Sequence, residues 1–133
     1  MRVKDLMTTD ITTISPLASV REAVTLMQEQ DVKSLVTEKR HDDDAHGIIT
    51  YTSIVRAIVA QEGDIDLLNV YDIYIKPSIG ISGDVAVRHA ARMMIQQKVK
   101  RLLVTDNNQL EGLISMSDIV QNVLTWADDH APG

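Results

Sequence analysis

Apolar positions in this 133-residue chain recur with two different periods, and the change from one to the other marks its elements. Val20, Ala23, Val24 and Met27 fall at i, i+3, i+4 and i+7, and so do Val87, Ala90, Ala91 and Met94. That spacing lines one face of a helix and predicts two amphipathic helices, each with one buried stripe. Ser19-Val20-Arg21-Glu22 opens the first of them with a capping-box pattern. Short aliphatic and β-branched runs bounded by turn residues predict strands at 12–14, 34–38 and 47–50, and again at 79–81, 101–105 and 110–115. Pro16 and Gly83 stop the first strand of each set. Closing helices are expected over 52–60 and 117–126.

The two sets are copies. With Val3 set against Val70, an offset of 67 pairs Asp5 with Asp72, Ile14 with Ile81 and Ser15 with Ser82. It also pairs Val20-Arg21 with Val87-Arg88, Met27 with Met94, and Val32-Lys33 with Val99-Lys100. Two residues then drop out of a loop. At an offset of 65, Gly47 meets Gly112, Ile49 meets Ile114, and Ile54-Val55 meets Ile119-Val120. Self-similarity over such a period signals a repeat architecture. The expected fold class is α+β, two β-α-β-β-α repeats over 1–64 and 65–127 packed about a pseudo-twofold axis, with a fraying tail at 128–133. The join falls near 61–69, and neither unit has a comfortable core alone.

Composition excludes more than it names. Without cysteine there is no disulfide scaffold, no Cys-based zinc site and no thiol nucleophile. Nineteen acidic residues against 13 basic ones, with 3% aromatics, argue against a nucleic-acid partner. No apolar run approaches the roughly 18 residues that span a bilayer, and the polar start does not read as a signal peptide. A cytoplasmic protein with no membrane partner is expected. With no Phe and one Trp, the core must be aliphatic, and Met27, Met93 and Met94 read as core filling.

The candidate chemistry sits where the last strand of the second copy meets its helix, Gly112-Leu113-Ile114-Ser115-Met116-Ser117-Asp118. A helix N-terminus carries unpaired N–H groups and a positive dipole end, suited to phosphate or a hydroxyl-rich ligand. A carboxylate there can accept from vicinal hydroxyls. Basic steps precede the middle strands, Lys100-Arg101 in one copy and Lys33-Ser34 in the other. On the same rim they would complement phosphate.

With these residues in place, the chain resembles a tandem pair of cystathionine-β-synthase (CBS) domains, a Bateman module, over nearly all of residues 3–125. The resemblance implies two clefts for adenosine-containing ligands such as AMP, ADP, ATP or S-adenosylmethionine, with magnesium as an optional companion and no other cofactor. It implies ribose contacts from Asp118 and Ser115 and an adenine wall of Ile79, Gly80 and Ile81. Phosphate partners would be Lys100, Arg101 and, from the first copy, Lys33. The first copy departs from the pattern, with Ser53 in place of the aspartate and Ser34 in place of the arginine. Each lost partner costs on the order of 1.5–3 kcal/mol, roughly tenfold to a hundredfold in affinity. A second, weaker cleft would therefore draw on Thr13, Thr50 and Ser53. The resemblance also implies a stand-alone sensor, a homodimer paired through apolar helical faces, and output through an unidentified target protein. Catalysis is not expected, because no histidine lies in a nucleophile-and-base motif, and His89 and His130 receive no role.

Simpler readings stand beside these. Asp118 serves as a first-turn acid with Ser117 as the N-cap, and Lys100-Arg101 as a solvated strand edge. The run His41-Asp42-Asp43-Asp44-Ala45-His46 reads as a solvated acidic loop more readily than as a cation site. No metal site is expected. The rival function is a nucleotide-independent dimerisation or interaction module with degenerate clefts, which Leu103, standing where the family usually has proline, also favours.

Overall fold

The computed structural model describes residues 1–76 and 80–130. In chain order the elements are α1 (Val3–Leu6), β1 (Thr13–Ile14), α2 (Val20–Gln30), β2 (Ser34–Thr37), β3 (Ile48–Thr50) and α3 (Tyr51–Ile54). A π-helical stretch, Val55–Ala60, continues α3. Then come α4 (Val70–Ile73), β4 (Gly80–Ile81), α5 (Val87–Gln97), β5 (Arg101–Asp106), β6 (Gln109–Ser115), α6 (Met116–Gln121) and α7 (Val123–Asp129). Each repeat forms a three-stranded sheet in which the first strand runs parallel to the second and the third antiparallel, in the orders β1-β2-β3 and β4-β5-β6. The α+β class and the repeated strand-helix-strand-strand-helix order read from the sequence are both present.

Two short helices that the sequence pattern did not predict, α1 and α4, open the repeats. Each is closed at its start by an aspartate three residues on, for the Arg2 amide donates to Asp5 Oδ2 at 2.7 Å and the Asn69 amide to Asp72 Oδ2 at 2.8 Å. Their destinations are exchanged. Val3 is buried with Ile81, Ala90, Met94, Leu102, Val104 and Ile114, the core of the second repeat. Val70 is buried with Ile14, Ala23, Met27, Leu35 and Ile49, the core of the first. The compact units are accordingly Met1–Asp10 with Ile79–Gly133, and Ile11–Ser78. The expected boundary at 64/65 is the period of the sequence, and the compact units divide the chain elsewhere.

Backbone pairing holds each exchanged segment. The Thr8 and Leu113 amides donate to each other's carbonyls at 2.9 Å, and Ile48 and Ile75 do the same at the matching place. The repeated glycines, Gly112 in β6 and Gly47 just before β3, permit this approach. A Cβ on Gly112 would lie 2.8 Å from the Thr8 carbonyl oxygen and 2.8 Å from Met7 Sδ, and one on Gly47 would lie 2.6 Å from the Tyr74 ring. Only glycine fits under a strand laid that close.

The capping box expected at Ser19 and Glu22 is formed, with the Glu22 amide 3.1 Å from Ser19 Oγ and the Ser19 amide 2.8 Å from Glu22 Oε2. Both long helices end on a left-handed residue, Asp31 (φ 53°) and Lys98 (φ 56°), where helices commonly place glycine. The hairpin of the second repeat turns through Asn107 and Asn108, both at positive φ, the signature of a tight two-residue turn. The closing helices are less regular than expected. One passes into π geometry at Val55, and the other breaks at Asn122, whose side-chain amide donates to the Asp118 carbonyl at 2.8 Å.

Candidate functional site

Strand register assembles the second-repeat site. Arg101 lies directly opposite Ser115, and the Met116 amide donates to the Lys100 carbonyl at 2.9 Å. The basic step at the start of β5 and the Ser115-to-Asp118 turn thus share one end of the sheet. Lys100 is exposed and Arg101 half-buried. Ser115 is the N-cap of α6, and its hydroxyl accepts from the Asp118 amide at 3.2 Å. In return the Ser115 amide donates to Asp118 Oδ2 at 2.8 Å. Ser117, weighed as the cap from sequence, stands exposed in the first turn, because the chain already turns helical at Met116. Asp118 is therefore a half-buried capping group through Oδ2, at the end of the sheet that it shares with Lys100 and Arg101.

Of the expected adenine wall, Gly80 is exposed on β4 and Ile79 lies outside the described residues. The Ile81 side chain is buried in the second core, so what it can offer a ligand is its backbone.

The first repeat builds the same corner differently. Thr50 caps α3, with its Oγ1 3.4 Å from the Ser53 amide and 3.3 Å from Ser53 Oγ. Ser53 is only 4% exposed. Where Asp118 presents a carboxylate, Ser53 turns a short hydroxyl inward on its own cap. Ser34 faces Thr50 across the ladder, and Lys33 stands exposed just before β2. Thr13 does not join this corner. It lines an open groove of about 540 Å³ between the edge strand β1 and α2.

The acidic loop is better anchored than its composition suggested. The Asp44 side chain is 11% exposed and ion-paired with Lys76. It also accepts from the Arg40 and Ala45 amides at 2.9 Å. The Lys76 ammonium, and then the Arg40 amide, hold its carboxyl far below the usual carboxylate range. His46 Nδ1 donates to the Thr37 carbonyl at 2.8 Å. Two of the run's candidate ligands are thus committed to the protein, and among the described residues no three acidic or histidine side chains converge as a metal site would require. Sequence alone hid the tether because Lys76 lies 32 positions beyond Asp44 (76 − 44).

The sequence profile of the CBS domain matches the chain twice, over residues 3–60 and 70–125. The chain belongs to the CBS domain family. Its two matches are a tandem CBS pair, and the corner built by Ser115, Asp118, Lys100 and Arg101 lies in the second of them. A Methanopyrus kandleri protein of uncharacterised function is 33% identical over 84% of this chain, which spans 57% of that protein's length. Among solved structures, the hexameric CBS-CP12 protein from bloom-forming cyanobacteria is 32% identical, with a TM-score of 0.88 over 98% of this chain and 79% of its own. A CBS domain protein from Pyrobaculum aerophilum, solved in complex with AMP, shares the fold at 22% identity, with a TM-score of 0.81 over 96% of this chain and 99% of its own.

Proposed function

We propose that this CBS pair is a regulatory module that binds an adenosine-containing ligand at the second-repeat corner. Asp118 Oδ1 accepts from the ribose hydroxyls, the Ser115 side lies near ribose or phosphate, Lys100 and Arg101 face the phosphates, and Gly80 with the Ile81 backbone flanks the base. The observation that carries the reading is the contrast between the two caps. Asp118 carries a carboxylate at the sheet end that it shares with Lys100 and Arg101, whereas Ser53 is buried on Thr50. The corner at Thr50 and Ser53 is then weak or silent. The AMP complex of the Pyrobaculum protein supports a nucleotide on this fold, and the residues above bring the reading to this chain. Output runs through a partner chain.

A second reading, an interaction module indifferent to nucleotide, is favoured by one feature. Tyr51, Val55 and Val59 form an exposed apolar stripe, and Val120, Val123 and Leu124 form another. Under either reading copies pair through these helices, and the hexameric cyanobacterial protein supports assembly of this fold.

A thermal-shift panel of AMP, ADP, ATP and S-adenosylmethionine, with and without magnesium, separates the two. A ligand at 100 times its Kd adds about 2.7 kcal/mol. A raised midpoint supports the sensor. No shift at millimolar concentration of any of the four rejects it and leaves the interaction module.

A further inference from the structure

The α2 helix face that borders the groove beside β1 and the equivalent face of α5 carry opposite charge. In the first repeat the floor is Ile14, Ala18 and Leu26, and the rim carries Glu22, Glu29 and Glu38. Arg21 also lines it, but its guanidinium is paired with Asp66, at 3.0 Å for Nη2, which cancels its charge. Glu29 and Glu38 are exposed, and neither has an ion pair among the described residues. At the offset of 67, Arg21, Glu22, Thr25 and Glu29 become Arg88, His89, Arg92 and Gln96, and Glu38 becomes Thr105. The acidic helix face of one repeat is a basic face in the other.

The basic face is kept against local helix preference. Arg88 sits in the first turn of α5, where the dipole disfavours a cation and no acidic residue offsets it. Helix α2 has Ser19 and Glu22 at its cap, whereas α5 has Ala86, with no side-chain cap, and His89. Local rules broken without compensation within the element point to a role outside it. Arg88, Arg92 and Ile95 share one face at i, i+4 and i+7, and Ile95 is 69% exposed among them. Neither arginine has an ion pair among the described residues. An apolar anchor with two guanidinium groups in a row on its N-terminal side matches an apolar floor rimmed by carboxylates.

We propose that the α5 face of one copy seats in the β1–α2 groove of a second copy, Ile95 over Leu26 and Ala18, with Arg88 and Arg92 against Glu29 and Glu38. The contact joins unlike repeats of two chains. It does not depend on bound nucleotide.

Sedimentation velocity of the full chain from 50 to 500 mM salt tests it. Exposed pairs are screened as the Debye length falls below about 10 Å, so the larger species should diminish with salt. Glu29→Lys with Glu38→Lys, and separately Arg88→Glu with Arg92→Glu, should each weaken self-association about tenfold or more. An equimolar mixture of the two variants, and the chain carrying all four changes, should restore it. Restoration also shows that both variants are folded. If only one pair of reversals matters, if neither does, or if the mixture stays dissociated, the unlike-repeat contact is wrong. Association that survives every reversal but is lost in Val59→Glu with Leu124→Glu leaves the apolar homodimer standing and overturns this contact alone.

Discussion

The amides and side chains of Ser115 and Asp118 cap each other, at 2.8 Å in one direction and 3.2 Å in the other. One carboxylate thereby holds a helix start through Oδ2 and, under the proposed function, also serves the ligand. Removing it has two effects that can be measured apart.

Asp118→Ala should lower stability by about 1 kcal/mol through the lost cap, roughly 4 °C in midpoint. Adenosine-ligand affinity should fall further, about tenfold to a hundredfold. Asp118→Asn keeps an acceptor for the Ser115 amide, so its midpoint should recover more than its affinity. Ser53→Ala should leave titrated affinity nearly unchanged. Equal affinity losses at the two positions would refute a single competent corner.

Val3→Ala, which empties part of the second-repeat core, should cost about 2 kcal/mol. Hydrogen exchange should locate that loss in β4–β6 and α5, more than 70 residues away in sequence. Val70→Ala should loosen β1–β3 and α2 instead. Protection lost around the mutated repeat itself would contradict the exchanged packing.

Gly112→Ala places a methyl against the Thr8 carbonyl, a backbone atom that cannot swing aside. Overpacking of this kind costs about 1–3 kcal/mol. Denaturant midpoints should show Lys98→Gly moving the other way. Relieving a left-handed lysine stabilises by about 0.5–1 kcal/mol after the greater freedom of glycine in the unfolded chain is counted.

The Asp44–Lys76 pair sets an acid limb. Because the folded carboxyl lies below its unfolded value of about 3.9, its contribution is full above that pH and fades as acid protonates the folded pair. Asp44→Asn should be less stable than the parent at pH 7. The difference should shrink below about pH 4. A constant gap across that range would remove the pair as its source.

Periodicity located α2, α5 and all six strands, because a buried stripe or a β-branched run repeats over several residues. It could not locate α1 or α4. A four-residue helix completes barely one turn, and what holds Val3 and Val70 is tertiary burial against the opposite repeat. Ser115 ends β6 as the pattern predicts and is also the N-cap of α6, a role that its Ser-x-x-Asp spacing signals. The inward turn of Ser53 was not legible, since a missing carboxylate does not say where its replacement points. The Asp44 tether and the charge inversion of the two helix faces needed the fold to show which residues share a surface.

The exchange of α1 and α4 also sets an order of events during synthesis. When residue 76 has emerged, α4 can close on Ile14, Met27 and Ile49, all made before it, so the first-repeat core is complete while the rest of the chain is still being translated. Val3 is made before all of these and waits longer, because its contacts run from Ile81 to Ile114. Until then α1 has no core to enter, and the second repeat finishes folding by capturing a helix made before the first repeat.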